Sequence, residues 1–303
     1  MTRPVGQVRL RRGIGLAIPG EWATALVMLT PALVALALFR IVPFLSSVVG
    51  SVQHTRFNVV TDPFVGLENY ATTLGSPDFL HSLGVTLLFA VVVNPVQIAI
   101  ALALSVLFVQ GSRGSVLART LVFLPVAVPP AVAALIWGFA LQPDGVVNGL
   151  LMSLGLEPQR FLTSSAQALP SIVLIVSWIG IGYWTVFLVA GLHDIPVDYS
   201  EAAAIDGAGW WSTFRHVTLP LMRRPLAFVL VADTIGNFLL FTPIQILTGG
   251  GPSGSTDVLM FEVYRQSYAM SNPNTALPET VMLMLVVLVV VAFEFRLLRS
   301  VEQ

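Results

Sequence analysis

The sequence predicts an all-α membrane protein that crosses the bilayer about six times. Three observations lead there. Of the 303 residues, 55% are hydrophobic and only 10% charged, whereas soluble domains average roughly a quarter charged. Mean hydropathy is +0.84. Six stretches each supply the roughly 20 apolar residues that a helix needs to span a bilayer core.

The six expected spans cover residues 23–49, 81–109, 119–141, 168–192, 225–247 and 278–298. The first contains Arg40 and Pro43, so it is expected to tilt or kink. It is too long for the apolar core of a signal peptide and lacks a small-x-small cleavage site, so it reads as a retained span. Pro95, Pro125, Pro129 and Pro130 fall in or near the second and third spans, where membrane helices tolerate breaks if protein or polar groups satisfy the freed backbone. Residues 1–20 read as a cytoplasmic arm, and 21–303 as one transmembrane domain without a strong internal repeat.

Arginine sets the expected orientation. With the N-terminus inside, the inner segments hold Arg3, Arg9, Arg11, Arg12, Arg113, Arg119, Arg215, Arg223, Arg224, Arg296 and Arg299. The outer loops hold Arg56, Arg160 and Arg265. That bias predicts both termini on the inner side. The outer loops then carry Asp62, Glu68, Asp78, Asp144, Glu157, Asp257 and Glu262.

Composition also excludes chemistries. With no Cys there is no disulfide, thiolate or zinc–cysteine site. With no Lys there is no Walker A lysine and no Schiff-base lysine. A net charge of −1 gives no basic field for nucleic acid. His54, His81, His193 and His216 fit no metal spacing, and no serine sits in a nucleophile elbow. Gly249 to Gly254 formally fits G-x-G-x-x-G, but it follows a span and has Pro252 where a helix should begin, so a dinucleotide site is rejected.

The inner loop 193–224 is the most patterned segment. From Asp198 to Leu221 it reads as a short helix, a glycine turn and a second short helix. Asp198 is expected to cap the first helix, with Glu201 reaching back. Ala202 to Ala204 favour helix, Gly207 and Gly209 permit the reversal, and Pro220 is expected to close the second helix. On the residues alone, two readings stay open. One is an amphipathic element lying on the membrane; the other is a docking element anchored by Trp210, Trp211 and Phe214.

Residues 201–220 resemble the EAA motif of binding-protein-dependent ABC importer permeases: Glu-Ala-Ala, three residues, Gly, nine residues, an aliphatic, one residue, Leu-Pro. Glu201, Ala202, Ala203, Gly207, Val217, Leu219 and Pro220 occupy its positions, with Val217 where Ile is usual. Phe64-Val65-Gly66-Leu67-Glu68-Asn69-Tyr70, Leu247 to Pro252 and Tyr264-Arg265-Gln266 are similar to segments of the carbohydrate and glycerol-phosphate uptake group. The resemblance is strongest to importers of glycerol-3-phosphate or a glycerophosphodiester such as glycerophosphocholine, with a disaccharide as the alternative solute. It implies the type I ABC importer transmembrane fold in a bacterial inner membrane. It implies a second permease subunit, a dimer of ATP-binding subunits that use ATP and Mg²⁺, and an extracytoplasmic solute-binding protein. It implies no cofactor and no catalysis in this chain. It makes Glu201, Ala202, Ala203, Gly207, Trp211, Phe214, Leu219 and Pro220 the coupling loop.

Polar residues within spans are costly in lipid and face a pathway or a partner helix. Asn94 and Gln97 flank Pro95; Tyr183 and Trp184 follow Gly180 and Gly182; Asp233 and Asn237 share a helical face, with Gln245 further on. Interhelical hydrogen bonding and lining of a translocation path are both open for them. Asp233 suits an anionic solute poorly; a choline-like cation or Arg40 would suit it better. The rival from another class is a proton-driven secondary transporter working through Asp233. It predicts an inverted repeat and leaves the 201–220 pattern unexplained. A membrane enzyme would need a clustered catalytic constellation, and the sequence shows none.

Overall fold

The computed structural model describes residues 19–56, 59–109 and 115–299. Arg3, Arg9, Arg11, Arg12 and Arg113 therefore lie outside the described residues, as does the expected arm up to position 18. Two compact units divide the chain, Met1–Val49 and Gly50–Gln303.

The first apolar helix starts within the expected arm, at Pro19, where a proline's missing N–H costs nothing. It comprises α1 (Pro19–Leu36), a π turn over Ala37–Ile41 and α2 (Val42–Ser51). The π turn closes on a bond from the Val42 amide to the Ala37 carbonyl, one residue before Pro43. Proline has no N–H and clashes with the carbonyl four residues back; one widened turn accommodates both defects, so the helix continues.

Next comes a feature that the all-helical expectation does not contain. Strands β1 (Gln53–Arg56) and β2 (Val59–Phe64) form an antiparallel hairpin, followed by α3 (Glu68–Leu74). The Phe64–Tyr70 segment holds it in place. Gly66 turns with φ +64°. Asn69 Nδ2 donates to the carbonyls of Ser51 and Gln53 at 2.9 and 3.0 Å, and Tyr70 OH meets Ser51 Oγ at 2.6 Å. Asn274 satisfies both backbone groups of Thr55.

Among the described residues, five helices are long and apolar enough to cross a membrane: Trp22–Ser51, Pro77–Val109, Ala168–His193, Arg223–Leu247 and Pro273–Leu297. The stretch expected as one span over 119–141 differs. It is α5 (Ser115–Phe123), a 3₁₀ turn over Leu124–Ala127 and α6 (Pro130–Ala140), with Val116–Ala127 and Pro130–Ala140 bent by 104°. The cause is local: a residue before proline avoids the α region, and Val128 and Pro129 both precede one. Both are extended, with ψ 122° and 140°.

The main bundle consists of α4 (Pro77–Val109), α8 (Ala168–His193), α12 (Arg223–Phe238) and α15 (Pro273–Arg299). Here α4 packs along α8, and α12 contacts α4, α8 and α15. At 33 residues, α4 is about 50 Å long and outreaches a hydrocarbon core of roughly 30 Å. The expected fifth span breaks after Leu239 and resumes as α13 (Thr242–Leu247), because Pro243 cannot donate to the Leu239 carbonyl. Shorter helices complete the unit: α7 (Val146–Ser153), α9 (Val197–Ile205), α10 (Trp210–Thr213), α11 (Leu219–Leu221) and α14 (Leu259–Tyr264).

Apolar packing falls into three clusters. One joins Phe79, Phe238, Leu259 and Leu283; the next joins Phe89, Ile172, Ile244 and Phe261; the third joins Ala101, Leu188, Met222 and Val229. Glycines on α8 allow the close approaches. A Cβ at Gly182 would lie 2.3 Å from the Val122 carbonyl oxygen, and one at Gly191 would lie 2.7 Å from the Pro225 ring. Many other apolar side chains of the bundle helices stay exposed, among them Leu88, Val91, Leu285 and Val289, as expected where lipid is the solvent.

Candidate coupling loop and translocation cavity

The loop between α8 and α12 folds as a helix, a reversal and a second helix. Pro196 starts α9, in an extended conformation at φ −59° and ψ 136°; Asp198 lies in the first turn and makes no capping bond. The expected Asp198 cap is thus replaced by a proline start. At the other end, the Gly207 amide donates to the Ala204 carbonyl at 3.1 Å and the Ala208 amide to the Ala203 carbonyl at 2.9 Å. Those two bonds define a Schellman motif, which needs a left-handed residue between them. Gly207 supplies it with φ +78°.

After Gly209 the chain runs through α10, a π turn over Phe214–Thr218 and α11. Pro220 does not close the second helix as expected. The Leu219 amide bonds to the Phe214 carbonyl, and this wide turn bypasses the proline, as it does before Pro43.

None of α9, α10, the π turn or α11 contains a buried residue. Glu201, Ala202 and Gly207 are exposed; Ala203, Phe214, Leu219 and Pro220 are half-buried. Ile205 is 87% exposed, Trp210 60% and Trp211 61%. Trp210 stacks on Phe214 with centroids 5.7 Å apart, and Trp211 meets Phe214 at 5.6 Å. Behind the aromatic trio lies a cavity of about 430 Å³, bounded by Val106 and Val109 of α4, Leu192 and His193 of α8, and Trp210 and Phe214. The loop therefore rests against the C-terminal ends of two bundle helices while an apolar face stays uncovered.

Among α4, α8 and α12, a second cavity of about 310 Å³ gathers Gln97, Tyr183, Trp184, Asp233 and Asn237, with Phe241 and Pro130 on its walls. Trp184 Nε1 donates to Asp233 Oδ1 at 2.6 Å, while Asp233 Oδ2 is buried without a hydrogen-bond partner among the described residues. Gln97 Nε2 reaches Ser177 Oγ at 3.3 Å. Gly180 makes room for it, since a Cβ there would lie 2.6 Å from Gln97 Oε1. Tyr183 is 45% exposed and meets Trp184 edge-on at 4.8 Å. Among the described residues, no basic side chain lines this cavity.

Two of the singled-out residues lie elsewhere. Asn94 is buried between helices, bonded to Thr234 and Asn237. Gln245 is exposed on α13, beyond the break at Leu239. Residues to which the sequence analysis gave no site role form a second polar cluster. Arg265 Nη1 lies 3.0 Å from Asp257 Oδ2, and the same guanidinium pairs with buried Glu262. Gln266 also holds Glu262, at 2.7 Å, and Glu279 is buried at 1% exposure. Burial pushes the Asp257 carboxyl above its ordinary value, against the pull of Arg265. The available signal was the spacing of Asp257, Glu262 and Arg265 around a short helix, but acids assigned to a water-side loop drew no attention. Among the described residues, no group of three or more His, Asp or Glu is placed to hold a metal ion.

A multi-span helical bundle with an exposed helix–glycine–helix loop and a polar cavity between its spans defines a membrane permease subunit. The chain belongs to the family of binding-protein-dependent transport system inner membrane components, which matches residues 96–303. It is therefore a multi-pass transport subunit of the bacterial inner membrane, not an enzyme. It is 34% identical over 271 residues to the sn-glycerol-3-phosphate transport system permease protein UgpA of Brucella abortus, covering 89% of this chain and 92% of the relative. The UgpA protein of Yersinia enterocolitica is 34% identical over 278 residues, covering 91% and 94%. In fold it is similar to a chain of a bacterial ABC transporter that imports the acidic polysaccharide alginate. The TM-score is 0.81 at 22% identity, over 94% of this chain and 97% of the other. The same transporter in complex with its alginate pentasaccharide-bound periplasmic protein gives 0.82 at 22% identity, over 93% and 96%.

Proposed function

We propose that this chain forms half of the translocation pathway of an ATP-driven importer for a small polyol-type solute: glycerol-3-phosphate or a glycerophosphodiester. The observation that carries the ATP-driven part is the uncovered loop: Val197–Ile205 form a helix without a buried residue, stopped by a Schellman motif at Gly207 and followed by exposed Trp210 and Trp211. Exposed aromatics beside a rigid glycine turn suit a partner's groove, because aromatic anchors contribute most where a partner desolvates them. A dimer of ATP-binding subunits would dock there and would supply ATP and Mg²⁺ chemistry that a chain without lysine does not offer. A second permease subunit would complete the pathway, and an extracytoplasmic binding protein would deliver solute.

The arginine bias supports an orientation with both termini inside, and with it a cytoplasmic coupling loop. Residues 21–303 would act as one transmembrane domain. Closure of the ATP-binding subunits would move the loop, and the loop, seated on α4 and α8, would move the spans that wall the cavity. The 310 Å³ cavity is the proposed solute station. Its single carboxylate and lack of basic residues suit a glycerol end or a cationic head group, such as that of glycerophosphocholine, better than a bare phosphate. The names of the relatives favour glycerol-3-phosphate over a disaccharide.

The test is co-purification in mild detergent, comparing the native chain with Glu201→Lys combined with Gly207→Asp. An ATP-binding subunit that accompanies the native chain and leaves the variant supports docking at this loop. Its absence from both, or solute uptake driven by a proton gradient in ATP-free vesicles, would overturn the reading in favour of a secondary transporter.

A further inference from the structure

The amide of Asn94 is committed at both ends. Its Nδ2 donates to Thr234 Oγ1 at 2.7 Å, and its Oδ1 accepts from Asn237 Nδ2 at 2.8 Å. Thr234 Oγ1 donates onward to Glu294 Oε1 at 2.7 Å. The four residues make one directional chain from α15 through α12 and α4 and back to the face of α12 that walls the solute cavity. Glu294 is half-buried, and among the described residues its Oε2 has no hydrogen-bond partner.

The direction of every bond follows from the carboxyl end. A hydroxyl has one proton to give. Once Thr234 gives it to Glu294, its oxygen can only accept, so Asn94 must present its NH₂ group. The Asn94 carbonyl oxygen then faces Asn237 and demands an NH₂ there as well. Asn237 is thereby held with its Nδ2 turned to α4, and its Oδ1 is the atom left for a ligand. Beside it stands Asp233, whose Oδ2 is also an acceptor without a partner among the described residues. Without Glu294 the chain could reverse, and Asn237 could offer the cavity a donor instead.

We propose that Glu294 is a positioning residue for solute selection: through Thr234 and Asn94 it fixes the Asn237 amide so that the cavity presents hydrogen-bond acceptors, matched to the hydroxyl groups of a glycerol moiety. This rests on the reading of the 310 Å³ cavity as the solute station. It predicts that an acceptor at position 294 is required, and that a charge there is not.

The experiment uses the complete purified importer and radiolabelled sn-glycerol-3-phosphate and glycerophosphocholine as probes, with half-saturating concentrations measured by equilibrium dialysis without the binding protein. Glu294→Met and Thr234→Val should each weaken binding about three- to tenfold, the worth of one hydrogen bond. Glu294→Gln, which keeps an acceptor, should stay within about twofold of native, less than one such bond. In an Asn237→Ala background, Glu294→Met should add nothing. Equal losses in Glu294→Gln and Glu294→Met would overturn the proposal, as would an undiminished effect of Glu294→Met on Asn237→Ala; either result leaves the cavity reading intact. Native binding of both probes that is unchanged by Asn237→Ala and Asp233→Asn would instead overturn the cavity reading, and the proposal with it. Failure of the native importer to bind either probe would do the same through the solute class. Thr234→Val keeps the test decisive if Glu294→Met does not assemble.

Discussion

Trp184 Nε1 donates to Asp233 Oδ1 at 2.6 Å, between two helices and on the wall of the polar cavity. It holds this buried carboxylate, and α8 and α12 are joined through it. The pair stands one turn from Asn237, so the cavity's charge and its aromatic wall are positioned together.

Removing one partner from such a pair costs more than removing both, because a buried polar group is left unmet. Trp184→Phe should therefore destabilise the protein by about 1–3 kcal/mol. Adding Asp233→Leu to it should recover part of that loss. Thermal unfolding of the two variants in detergent checks the order; a double variant less stable than Trp184→Phe would contradict it.

Gly207 has φ +78° with open space around it, so its requirement is conformational and not steric. Gly207→Ala should cost about 1–2 kcal/mol locally, and Gly207→Asn less, since Asn tolerates the left-handed region. Both variants should keep the thermal transition of the membrane helices while weakening capture of the proposed ATP-binding subunit, Ala more than Asn. A pull-down titration measures that ranking.

Two helical glycines predict opposite outcomes. A Cβ at Gly182 would meet the Val122 carbonyl oxygen at 2.3 Å, whereas at Gly149 nothing lies within 4 Å. Gly182→Ala should lower stability by about 1–3 kcal/mol through overpacking. Gly149→Ala should be neutral or raise stability by up to about 1 kcal/mol, from helix propensity. Thermal melts of the two side by side decide the point.

The Asp257–Arg265–Glu262 cluster predicts a pH dependence. Burial raises the Asp257 pKa above its ordinary value of 3.8, so the folded state holds this proton more tightly than the unfolded state. Its contribution to stability is complete below pH 3.8 and is lost as pH rises through the raised value. Asp257→Asn should flatten this part of the stability profile on the alkaline side of pH 4, a rough bound set by the ordinary carboxylate range. Unfolding midpoints taken across that range in detergent provide the check.

How much of this was legible beforehand differs by element. The Glu201–Pro220 pattern placed a helix, a glycine stop and a second helix, because a left-handed stop demands glycine and alanines favour helix wherever they stand. Its details went otherwise. Pro196, not Asp198, opens α9, and a π turn carries the helix past Pro220. Both are choices between local solutions of similar energy, which packing and backbone strain decide. The hairpin at 53–64 was missed because its strands are short and its restraint comes from Asn274, more than 200 residues away in sequence.

The sequence by itself determined the solvent, the number of apolar stretches and the family, since hydropathy and a spaced motif are properties of the chain read in order. Its polar intramembrane residues were visible too, but not their roles. Asn94 and Asn237 look alike in sequence, yet one is consumed between helices while the other faces the cavity, and Gln245 was carried away by the break at Leu239. Only the tertiary structure decided these, and it alone joined Glu294 to Thr234 and Arg265 to Asp257. The physical reason is that a hydrogen bond's worth depends on its partner and its burial, and both are fixed by how helices distant in sequence come to lie side by side.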